Sequence, residues 1–126
     1  MKTRRLPNLL LAIAFGFALL IGPGRVAVAH AVLVEATPAA DSAVAGPDVA
    51  VKLRFNVRID RSRSRLTLAL PDGRTTALKI ADEGAPDTVS ARATGLGPGA
   101  YRLRWQVLAA DGHITRGDLP FRVSGS

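Results

Sequence analysis

The 126-residue chain has no cysteine. Disulfides therefore cannot staple it, and zinc or iron–sulfur sites built on thiolates are excluded. Its one methionine is Met1, and it has one tryptophan and one tyrosine. Only two histidines occur, His30 and His113. Imidazole chemistry is thus confined to two positions. A bilayer span takes about 20 apolar residues, and no run after residue 30 approaches that. Helical spacing of apolar residues does not persist anywhere after residue 30, and there is no internal repeat or low-complexity linker. Acids are also scarce, 10 against 17 lysines and arginines, for a net charge of +7.

Much of that charge belongs to the start of the chain. Lys2, Arg4 and Arg5 precede an apolar run from Leu9 to Ile21, Gly22-Pro23-Gly24 breaks it, and Ala27-Val28-Ala29 supplies small residues at a cleavage position. This is the layout of a secretory signal peptide. The run has no polar face, which argues against a retained amphipathic anchor. The pattern predicts that residues 1–29 are removed and that one domain, 30–126, is exported to the periplasm or another extracytoplasmic compartment as a soluble protein. Removing Lys2, Arg4, Arg5 and Arg25 lowers the net charge from +7 to +3 and leaves 97 residues. That length holds a single core. The modest charge argues against nucleic acid, which needs a clustered basic face. The one cluster in sequence, Arg61-Ser62-Arg63-Ser64-Arg65, reads as a solvated loop and strand edge.

What the domain does have is alternation. Val49, Val51, Leu53 and Phe55 are spaced by Ala50, Lys52 and Arg54. Leu66, Leu68 and Leu70 alternate with Thr67 and Ala69, and Tyr101, Leu103, Trp105 and Val107 with Arg102, Arg104 and Gln106. Leu119, Phe121 and Val123 continue the pattern. A period of two puts one face of each strand in a core and the other in water. Turn residues punctuate the runs, and Pro71-Asp72-Gly73 predicts a hairpin joining 65–70 to 74–80. The expectation is an all-β, seven-stranded antiparallel Greek-key sandwich or barrel, cupredoxin-like or immunoglobulin-like. Trp105 and Tyr101 share a face with Leu103 and Val107 and read as core, and Glu35 reads as a solvent-facing residue.

Cleavage after Ala29 would make His30 the first residue. Its α-amine and ring Nδ1 could then close a six-membered chelate on a metal. The amine, with a pKa of roughly 7.7–8.0, gives up its proton to a Lewis acid at little cost. His113 adds a third nitrogen. Asp111 lies two residues earlier, and on an extended backbone would point to the same side. Three nitrogens and one carboxylate oxygen suit tetragonal Cu(II), which the Irving–Williams order also favours. Soft ligands for Cu(I) are lacking once Met1 is gone. One Cu(II) per chain, held by His30, Asp111 and His113, is the expectation.

Several stretches, taken together, resemble the CopC-like periplasmic copper-binding proteins of copper-resistance systems. They are "HAVLVEATPAADSAVAGP" from His30, "VKLRFN" from Val51, and "LGPGAYRLRWQVLAADGHITRGDLPFRV" from Leu96. The likeness spans nearly the whole mature chain. It implies a cupredoxin-like β-barrel or sandwich, Cu(II) bound by His30 with Asp111 and His113 as further ligands, and a possible CopD-like inner-membrane copper transport protein as partner. Two departures stand out. "LALPDGRTTALKI" has none of the methionines that serve Cu(I) in some members, so the chain resembles the Cu(II)-only type. The acidic residue many members carry two positions after the strand phenylalanine is replaced by Val57, with Asp60 a possible substitute. The function expected is non-catalytic capture and carriage of copper for resistance or homeostasis. Two alternatives remain at this stage. A terminal histidine with its amine and a second histidine is also the brace of copper monooxygenases, against which the short chain argues. A metal-free immunoglobulin-like binding module would leave both histidines without a role.

Overall fold

Alternation along the chain is realised as eight strands. The computed structural model describes residues 30–125. The strands are β1 (Leu33–Thr37), β2 (Ala43–Ala45), β3 (Val49–Phe55), β4 (Ile59–Ala69), β5 (Thr75–Leu78), β6 (Thr88–Ala93), β7 (Gly99–Ala109) and β8 (Ile114–Ser124). They form two layers, a three-stranded sheet in the order β1-β3-β6 and a five-stranded sheet in the order β2-β8-β7-β4-β5. There is no helix among the described residues. The predicted signal peptide lies outside them.

The sandwich matches the fold class expected, with one strand more. The shortest element, β2, has three residues and runs parallel to β8, whereas every other pairing is antiparallel. Three residues are too few for alternation to register in sequence. The segment is held by main-chain bonds at its entry, Asp41 N–H to the Pro120 carbonyl at 2.7 Å and Arg122 N–H to the Ser42 carbonyl at 2.9 Å.

The inward residues of the alternating runs make the core. Leu53, Leu68, Val89, Leu103 and Val107 are fully buried, and Phe55 and Phe121 nearly so. Each such side chain contributes about 1.5–3 kcal/mol relative to exposure. Trp105 stands edge-on to Phe55 of the opposite sheet, ring centroids 5.2 Å apart, and Tyr101 stacks on Phe121 at 5.7 Å. Both aromatics are core, as the alternation implied. Trp105 needs Gly117 as its cross-strand partner, because a Cβ there would lie 2.2 Å from Cζ2 of the indole.

The predicted hairpin is present. Leu66 pairs with Leu78 and Ala69 with Thr75, and Asp72 Oδ1 accepts from the Arg74 N–H inside the turn at 3.0 Å. The Arg61–Arg65 stretch, expected as loop and strand edge, lies wholly within β4. A bulge between Asp60 and Arg65 turns Ser64 inward. There its hydroxyl donates to the Asp60 carbonyl at 2.7 Å and accepts from the Leu108 N–H at 3.1 Å. A buried serine so satisfied costs little, and nothing in the local sequence signals it.

Candidate metal centre

His30 and His113, 83 positions apart, meet at one end of the sandwich. Two local structures bring them there. The first is the chain just before β1. Ala31 is buried in the core, and Val32 is gripped from both sides by Asn56. Its N–H donates to Asn56 Oδ1 at 2.7 Å, and its carbonyl accepts from the Asn56 N–H at 3.1 Å. His30 thus projects from a segment anchored at both following residues.

The second is the β7–β8 hairpin. The Ala109 N–H bonds the His113 carbonyl and the Gly112 N–H bonds the Ala109 carbonyl, each at 2.9 Å. Gly112 takes φ +93°, a conformation that a side chain would strain. The Ala110 N–H reaches the Arg58 carbonyl at 3.0 Å and ties the tip to the β3–β4 connection. At the tip, Asp111 Oδ1 accepts from the His113 N–H at 3.0 Å and Oδ2 lies 3.2 Å from His113 Nδ1. Asp111 and His113 do face the same way, but through this side-chain-closed turn and not through an extended backbone.

The rings of His30 and His113 are 5.5 Å apart between centroids, at 75° to one another. A metal with imidazole nitrogens at ~2 Å lies about 3 Å from each ring centre, so two rings sharing it sit roughly 4.5–6 Å apart. The observed spacing falls in that span. Both rings and Asp111 are solvent-exposed. The main-chain N–H of His113 holds the Asp111 carboxyl below the ordinary carboxylate range against a desolvation effect in the other direction. The side-chain bond to the His113 ring and the nearness of both imidazoles lower it further. A carboxylate so held stays ionised beside the two rings.

Among the described residues no group of three or more histidine and acidic side chains converges into a ready cage. What the fold presents is two imidazoles with one carboxylate braced against the second. The third nitrogen of the expected set is the α-amine of residue 30, which exists only after cleavage at Ala29.

The remaining candidates add no third histidine or acidic donor to form a metal-holding group among the described residues. Val57 is half-buried against the core. Asp60 accepts from the Ser62 hydroxyl at 2.7 Å and lies 3.8 Å from Arg63, so it is engaged elsewhere. Glu35 is exposed and pairs with Arg54 across β1–β3 at 3.4 Å. Asn56 is the residue that sequence reasoning missed. The available signal was a short amide side chain directly after the strand phenylalanine, a type that mimics a main-chain partner. No spacing, however, links position 56 to position 32.

The CopC domain family matches residues 33–124, a span that begins three residues after His30. Copper resistance protein C of Escherichia coli is 32% identical over 114 residues, 83% of this chain and 90% of that protein. Protein YobA of Escherichia coli K12 is 30% identical over 98 residues, 75% of this chain and 79% of that one. Among solved structures, CopC from Methylosinus trichosporium OB3b superposes with a TM-score of 0.69 at 29% identity, covering 76% of this chain and 95% of that chain. PcoC, a methionine-rich copper resistance protein from Escherichia coli, gives 0.62 at 27% identity, covering 76% and 100%.

Proposed function

The chain belongs to the CopC family of copper-binding resistance proteins, which are not enzymes, and from that premise we propose that it captures one Cu(II) per chain outside the cytoplasm and carries it. Export follows from the signal peptide, and cleavage after Ala29 exposes the α-amine of His30. The amine and Nδ1 of His30 bind the ion as a chelate, and His113 completes the nitrogen set. Asp111 braces His113 through its main-chain N–H and Nδ1, so the ring offers Nε2 to the ion. Such carboxylate–histidine pairing fixes ring orientation and raises donor strength. The carboxylate also brings negative charge to a dication. The observation that carries the reading is the His30–His113 ring pair at 5.5 Å.

The oxidation state follows from the donors. Nitrogen and carboxylate oxygen favour Cu(II), whereas Cu(I) favours thiolates and thioethers. The mature chain has no sulfur, since its one methionine is Met1. It differs there from the methionine-rich PcoC. An exposed site on an open rim suits transfer of the ion to a membrane partner of the CopD type.

The test joins intact mass spectrometry of the exported protein to competition titration with chelators for each oxidation state. The expected results are a mass beginning at His30, one tight Cu(II) and no comparable Cu(I) site. One glycine added before His30 displaces the amine, and affinity should fall by more than roughly 100-fold, beyond the usual cost of losing an outer-sphere partner. A chain starting elsewhere, or unchanged affinity in the extended protein, would sink the reading.

A further inference from the structure

The outward face of the five-stranded sheet carries a charge pattern unconnected with copper. Cross-strand register sets Arg65 beside Gln106 and Gln106 beside Arg116, and in the next row Thr67, Arg104 and Asp118. Arg102 and Arg122 follow further along β7 and β8. All five arginines are exposed. Asp118 on this face pairs with Arg102 at 3.4 Å, and Asp60 at the start of β4 lies 3.8 Å from Arg63. Arg65, Arg104 and Arg116 have no carboxylate partner among the described residues, although Arg116 Nε donates to Gln106 Oε1 at 2.8 Å.

These three guanidinium groups border one groove of about 610 Å³, with Thr67 and Gln106 between them and Thr75, Trp105 and Asp118 also in its wall. We infer that this groove docks an extended, acidic segment of a partner protein, whose carboxylates pair with Arg65, Arg104 and Arg116. Arginine forks match carboxylates in two-point geometry. Strands lie ~4.8 Å apart, which sets Arg65 and Arg116 ~10 Å from each other across β7, a distance an extended segment covers in about three residues. The hydroxyl and amide groups between the arginines can bond the segment's main chain. A bilayer is the poorer fit. The groove is concave, and the exposed large hydrophobic residues Val32, Val34 and Ile114 flank the histidines rather than line it. A nucleic acid is poorer still, since residues 30–126 carry a net charge of only +3 and the three guanidinium groups border one short groove rather than an extended basic face.

The test uses the exported protein and a ten-residue peptide of alternating glutamate and serine, with a glutamine–serine peptide as the neutral control. NMR titration at low salt should move the amides of β4, β7 and β8 around Arg104, and 0.5 M salt should abolish the effect, since screening shortens the reach of exposed charges. Arg104→Glu and Arg116→Glu should each weaken binding at least tenfold, and the milder Arg104→Gln by several-fold. Arg92→Glu, an equal charge change on exposed β6 of the other sheet, should leave it within twofold. An equal loss in Arg92→Glu, binding of the neutral peptide, or no shift at all would overturn the inference. So would tighter binding to phosphatidylglycerol vesicles or to a DNA duplex than to the acidic peptide.

Discussion

Replacing Asn56 by alanine should loosen copper without touching a proposed ligand. The amide side chain makes one bond to the segment that carries His30, Val32 N–H to Oδ1 at 2.7 Å. Such a bond contributes about 0.5–1.5 kcal/mol net. Val32 is exposed, so water can take the freed N–H and the loss stays near the middle of that range. The main-chain bond from the Asn56 N–H to the Val32 carbonyl, and the burial of Ala31, survive the change. About 1 kcal/mol is roughly fivefold in an equilibrium constant. Because apparent affinity scales with the fraction of chains held ready, the loss of Cu(II) affinity should lie between about twofold and fivefold. Asn56→Asp keeps an acceptor oxygen and should restore wild-type affinity or better. Competition titration measures the affinity, and hydrogen exchange of the Val32 amide in the metal-free protein reports the bond itself. Unchanged exchange and affinity in Asn56→Ala would refute the positioning argument. A loss beyond roughly thirtyfold would refute it too, because one outer hydrogen bond cannot supply it.

Three further outcomes are expected. Gly117→Ala drives a methyl to 2.2 Å from Trp105 Cζ2. Overpacking of this kind costs about 1–3 kcal/mol, so calorimetry should show the thermal midpoint falling by at least roughly 5 °C while Cu(II) affinity holds. His113→Ala should cost more Cu(II) affinity than Asp111→Ala, whose loss should be about 10–100-fold, and circular dichroism melts of the metal-free variants should match wild type because both residues are exposed. Acid sensitivity should come partly from Asp60, held low first by the Ser62 hydroxyl, and Asp72, held low first by the Arg74 main-chain N–H. A carboxyl lowered on folding adds stability above its unfolded value near 3.8, and that stability disappears as pH falls through the lowered value. Melting Asp72→Asn from pH 6 to pH 2 should therefore show a shallower acid decline than wild type, and a parallel decline would count against the assignment.

The family likeness and the sandwich were legible because they rest on local pattern. A period of two in β3, β4, β7 and β8 dictates which side chains face inward, whatever the partner strand. Asp72-Gly73 and Asp111-Gly112 mark their turns for equally local reasons. The absence of cysteine, and of methionine beyond Met1, limited the donors to nitrogen and oxygen before any strand was placed. His30 and His113 stood out because no other imidazole exists.

Other features depended on contacts between residues distant in sequence. β2 was invisible because its three residues are stabilised by bonds to β8, not by their own pattern. The inward turn of Ser64 needs the Leu108 N–H as partner, 44 positions away. The five arginines of the outer face are scattered from Arg65 to Arg122 in sequence, and only strand register gathers them into one face. Asn56 reaches Val32 because β3 lies antiparallel to β1 and returns its end to the start of the domain. The 5.5 Å approach of the two histidine rings is of the same kind. Sequence alone determined which donors exist and which faces are buried, since composition and periodicity are properties of the chain itself. Tertiary structure decided which of them meet, because that distance is set by sheet pairing and hairpin packing, to which no local pattern is sensitive.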